Sequence, residues 1–85
     1  MNTLERDIKT FILRALLAAR DLPVTDDTLK LAISNAFRHV ALTTSELNRY
    51  VRDCDEAALI AGTNDEIYGV MWALTPKGKI RAQQL

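Results

Sequence analysis

The sequence predicts a small, mainly helical fold completed by an antiparallel β-hairpin. Three observations lead there. Apolar residues recur at helical spacing through the first two thirds of the chain. After Ala58 the period changes, and short runs of β-forming residues flank turn chemistry. Thr75-Pro76 then restarts a helix, a cap followed by proline at the first helical position. The chain has 85 residues, 48% of them hydrophobic and 26% charged, which makes one ordinary globular domain without linker or repeat.

The first helix is expected over residues 3–20, with Asn2 as its cap and Glu5 completing a capping box. Leu4, Ile8, Phe11, Ile12, Ala15, Leu16 and Ala19 form its apolar face, which Leu13 and Leu17 widen. Asp21 and Pro23 close it. Val24 follows in an extended stretch that offers a short extra strand. Thr25 caps a second helix, with Asp26 and Asp27 favourably placed in its first turn. Leu29, Ile33, Ala36, Phe37 and Val40 line its inner face, and Arg38 and His39 lie at its carboxyl end. Thr43 and Glu46 form a capping box that opens a third helix. Its apolar stripe is Leu47, Tyr50, Val51, Cys54 and Ala58. The hairpin is expected over residues 58–75, turning at residues 62–66. In its second strand Tyr68, Val70, Trp72 and Leu74 share one face, and Gly69 marks a bulge. A final helix covers residues 76–84.

Charge and cysteine content exclude several classes. Eleven Lys and Arg balance eleven Asp and Glu, so this is no strongly basic nucleic-acid coat protein. Cys54 and His39 are the only residues of their kinds, which removes an internal disulfide, a zinc cluster and any histidine-based catalytic constellation. The reading is therefore a non-enzyme with no cofactor and no metal. The start of the chain lacks the pattern of a signal peptide, and no apolar run is long enough to span a membrane, so a cytoplasmic setting is expected.

Three helices followed by a hairpin is the order of a winged helix, and two strings strengthen the likeness. Ala57-Ala58-Leu59-Ile60 is similar to the passage from recognition helix to wing, which often reads "GLI" in such proteins. Leu74-Thr75-Pro76-Lys77-Gly78 is similar to the "LTPKG" string at the exit of the wing. Over roughly residues 24 to 82 the chain resembles the winged helix-turn-helix family, most closely its small phage, prophage and bacterial members. The resemblance implies a regulator that binds double-stranded DNA, with the third helix in the major groove and the wing on the backbone. The residues it points to are Arg38, Thr44, Ser45, Asn48, Arg49 and Arg52. Arg can pair with guanine, Asn with adenine, and Ser or Thr can hold phosphate at the helix start.

Two departures favour an alternative, a winged helix used for protein contact. Residues 38–56 hold three arginines against four acids, and the wing tip carries Asp65 and Glu66, which a duplex repels. The second hairpin strand is apolar on both faces and the first helix is broad, which suits a homodimer through those two elements. Plainer readings stand beside the functional ones. Arg49 and Arg52 could form a solvated face paired with Asp53, Asp55 or Glu56. His39 caps a helix end, Cys54 is a small buried hydrophobe, and Tyr68 and Trp72 are core at the wing base. Lys77, Lys79 and Arg81 form a solvated basic face.

Overall fold

In the computed structural model, which describes residues 3–20 and 22–85, four helices pack with a three-stranded antiparallel sheet. The elements are α1 (Thr3–Ala18), β1 (Val24–Thr25), α2 (Asp26–Ala36), α3 (Thr44–Glu56), β2 (Ile60–Asp65), β3 (Gly69–Leu74) and α4 (Pro76–Gln83). The sheet order is β1-β3-β2, so the last strand in sequence is central. Val24 faces Trp72 and Thr25 faces Met71 across one side of β3, while β2 pairs along its whole length on the other. The Cα radius of gyration, 12.0 Å, matches the value of about 12 Å for one globule of this length.

The core forms where the apolar faces of α1, α2 and α3 meet the base of the hairpin. Ile8, Ile12, Leu13 and Leu16 come from α1, Leu29 and Ile33 from α2, and Leu47, Tyr50, Val51 and Cys54 from α3. Ile60 and Ala82 close it from β2 and α4. Each large side chain withdrawn from water here contributes about 1.5–3 kcal/mol. Leu13, expected at the margin of α1, lies fully inside. The apolar residues on both faces of β3 are covered in part by α1, α2 and α4, which pack against the strand. Met71, Trp72, Ala73 and Leu74 are all half-buried.

Several boundaries differ from expectation, each for a local reason. Helix α1 ends at Ala18 rather than residue 20, because Arg20 adopts a left-handed conformation (φ 51°) with its N–H on the Leu17 carbonyl. The expected Asn2 cap and the Asp21 stop lie outside the described residues. Glu5 accepts from Lys9 Nζ at 2.8 Å. Helix α2 ends at Ala36, four residues short of Val40, where Phe37 leaves helical geometry and sets its ring edge-on to Phe11 at 5.8 Å. Ala36 is consequently exposed and Val40 only half-buried. Arg38 and His39 fall in a turn that ends at left-handed Ala41, and the His39 ring lies tilted beside Phe37 rather than capping a helix.

Ala58 leaves the stripe of α3. It is exposed in a left-handed conformation (φ 60°), with Ala58 N–H on Asp55 and Leu59 N–H on Cys54, a Schellman ending. The first strand of the hairpin is longer and the turn shorter than expected, because Gly62, Thr63 and Asn64 are strand rather than turn. Gly62 faces Trp72, and a Cβ there would approach the indole ring to 2.9 Å, so glycine makes room for tryptophan. The turn is Glu66, Ile67 and Tyr68, closed by Gly69 at φ 76°. Tyr68 therefore sits at the exposed tip and not in the core, whereas Trp72 is half-buried against it.

The Thr75-Pro76-Lys77-Gly78 string fastens α4 to the end of α3. Thr75 Oγ1 accepts from Gly78 N–H and donates to Ala58 O, while Thr75 N–H donates to Leu59 O at 3.1 Å. Lys77 Nζ donates to Ala57 O at 3.0 Å, so this lysine serves the fold. No helix among the described residues is long and apolar enough to cross a membrane.

Candidate nucleic-acid interface

The residues singled out for DNA contact lie on α3 and the turn before it. The capping box starts α3 as the sequence predicts. Glu46 N–H donates to Thr43 Oγ1 at 3.1 Å, and Thr43 N–H donates to Glu46 Oε1 at 3.0 Å. With Leu47, Tyr50, Val51 and Cys54 buried, the helical period turns Ser45, Arg49, Arg52 and Glu56 outward together. Thr44 and Asn48 share one flank, and Arg38 is exposed in the preceding turn without a hydrogen bond or ion pair to them among the described residues.

The flanks differ in chemistry. On one side Lys30 Nζ donates to Asn48 Oδ1 and pairs with Asp26 at 2.7 Å. Asp26 Oδ1 in turn accepts from Trp72 Nε1 at 2.9 Å, so one chain of polar contacts ties α2, α3 and β3 together. Asn48 could pair with adenine only if Lys30 released its oxygen. Lys30 was missed as a neighbour of the site. Its four-residue spacing from Asp26 signals the ion pair within α2 and not the contact with Asn48. On the other side Asp53 is engaged by Lys9 at 3.6 Å, which joins α3 to α1.

The arginines of the outer face are not consumed by the nearby acids. Arg49 lies over the Tyr50 ring, 4.8 Å from its centroid, and neither Arg49, Arg52 nor Arg38 forms an ion pair among the described residues. Arg49 still makes itself felt. Glu5, bonded by Lys9, and Glu46, bonded by the Thr43 N–H, are held below the usual carboxylate range, and Arg49 adds to both effects. Beneath this face burial pushes the Cys54 thiol up to about 11, so it stays protonated at neutral pH.

The hairpin tip carries a different chemistry. Asp65 Oδ1 accepts from the N–H groups of Tyr68 and Ile67 at 2.9 and 2.8 Å, which holds its carboxyl below the usual range. Glu66 lies beside it, and Ile67 and Tyr68 project into solvent. A tip of two acids and two bare hydrophobic side chains has nothing to neutralise phosphate. No family model, curated protein or solved structure matches the chain. No group of His, Cys, Asp and Glu among the described residues could hold a metal ion.

Proposed function

We propose that the chain is a winged helix, with α2 and α3 as its helix-turn-helix and β2–β3 as its wing. The sheet order with the last strand central, the Schellman turn at Ala58 and the clasp made by Thr75, Lys77 and Gly78 support this reading. In this reading it is a non-catalytic module that binds double-stranded DNA, of the phage or bacterial regulator type. The observation that carries it is the outer face of α3, where Arg49 and Arg52 point outward without an ion pair while Asp53 is drawn aside by Lys9. Guanidinium groups left unpaired on an exposed helix face can reach guanine edges or phosphates. The apolar, acidic wing leaves α3 to make the groove contact.

Binding of the whole chain to mixed duplex DNA, followed by fluorescence anisotropy across a salt series, tests this. Affinity should fall linearly with salt on logarithmic axes, and each of Arg49→Ala and Arg52→Ala should weaken binding. No binding at low salt would remove the DNA reading. The wing tip favours a second reading, a protein-contact module, because Ile67 and Tyr68 are the kind of exposed apolar pair that partners cover.

A further inference from the structure

A recess lies at the end of the molecule away from the hairpin tip. It has a volume of about 310 Å³ and is walled by Leu16 and Leu17 of α1, Arg20 and Leu22 of the following turn, Leu74 at the base of β3, and Lys79 of α4. That volume is at the low end of ligand pockets, roughly 300–1,000 Å³, and suits a pair of side chains better than a cofactor. Its floor is leucine, and the charged side chains that line it among the described residues, Arg20 and Lys79, are cations.

The hairpin tip is its chemical counterpart. Ile67, Leu22 and Tyr68 are the most exposed large hydrophobic side chains among the described residues, at 84%, 71% and 65%. Two of them form the tip and the third forms the rim of the recess. The charged residues beside the tip, Asp65 and Glu66, are acids. The tip cannot reach the recess of its own chain, because the six residues of β3 hold it roughly 20 Å from Leu74.

From this match we infer that the recess takes the hairpin tip of a second copy of the chain. Ile67 and Tyr68 lie against Leu16, Leu17, Leu22 and Leu74, and Glu66 faces Arg20. Two copies exchanging tips make a closed two-fold pair in which each contact occurs twice. The inference rests on the protein-contact reading of the tip and leaves the DNA-facing side of α3 untouched.

Sedimentation equilibrium of the whole chain without nucleic acid, from micromolar to millimolar concentration, tests the exchange and is blind to DNA binding. The chain should form a dimer. Glu66→Arg and Arg20→Glu should each weaken it at least about tenfold by setting like charges together, and the double variant should recover most of the loss. Ile67→Ser should weaken it about tenfold or more by removing the apolar anchor. Leu22→Ser probes the recess at an exposed position should Arg20→Glu unfold, and should weaken the dimer similarly. A monomer throughout, or a dimer insensitive to these changes, would overturn the inference. So would a double variant no better than either single one.

Discussion

Gly78 and Ala58 both bond to the Thr75 hydroxyl at the junction of α3, β2 and α4, and each position makes a different demand on its residue type. A Cβ on Gly78 would lie 1.8 Å from the Leu59 carbonyl oxygen, which accepts the Thr75 N–H, so neither partner can retreat without losing a bond. Ala58 has the opposite problem, a side chain in a left-handed conformation that glycine adopts freely. Gly78→Ala should therefore cost about 3 kcal/mol or more, while Ala58→Gly should add about 0.5–1 kcal/mol. Urea unfolding of the two variants checks both signs, and equal effects would contradict the local account. Residue identity was a good guide here, since the lysine and glycine of the "LTPKG" string occupy positions with a visible mechanical role. It was a poor guide at Tyr68, whose β-forming character placed it in a strand. A three-residue turn closed by Gly69 leaves it at the tip instead.

Among the elements, α3 was the most legible and the hairpin the least. A reciprocal cap and five apolar residues are expected to define α3; the cap and Leu47, Tyr50, Val51 and Cys54 appear where the sequence puts them, while Ala58 falls past the helix end and is exposed. Thr43→Ala removes one half of that cap and should cost about 1 kcal/mol. A fall of the thermal midpoint of several degrees, with the native circular dichroism spectrum otherwise kept, would register it. The hairpin was misread because Gly62, Thr63 and Asn64 carry turn chemistry locally. Pairing with β3 and the need to accommodate the Trp72 ring override it. The end of α2 was misread for a similar reason. No sequence neighbour announces that Phe37 will turn away to meet Phe11, a contact between elements far apart in the chain. The candidate site was legible to the same degree as its helix. Ser45, Arg49 and Arg52 come together because helical spacing requires it, whereas the Lys30 grip on Asn48 depends on how α2 crosses α3.

At the scale of the whole molecule, the even balance of charges resolves into separate regions. Basic residues concentrate on α1 and α4, which pack together, and acids sit on the hairpin tip and along α3. Three carboxylates, one on α1, one on α3 and one at the hairpin tip, shape the response to pH. Glu5, Glu46 and Asp65 all have carboxyls lowered by hydrogen bonds, from Lys9, the Thr43 N–H and the Tyr68 N–H respectively. A group with a lowered folded-state value contributes stability above its unfolded value, and that contribution is lost as pH falls through the folded value. Thermal stability should thus hold near neutral pH and decline on acidification below about pH 4. Glu46→Gln should flatten the decline measured by melts across a pH series.

We propose that the arginines of α3, which form no ion pair among the described residues, make a surface for duplex DNA. Anisotropy titration of one labelled duplex with the wild-type chain and with Arg49→Ala and Arg52→Ala, each at several salt concentrations, tests it most directly. Salt-sensitive binding is expected, with a logarithmic slope that falls by about one for each arginine that meets phosphate and weaker affinity in both variants. Binding that is absent at low salt, or unchanged in both variants, would contradict it.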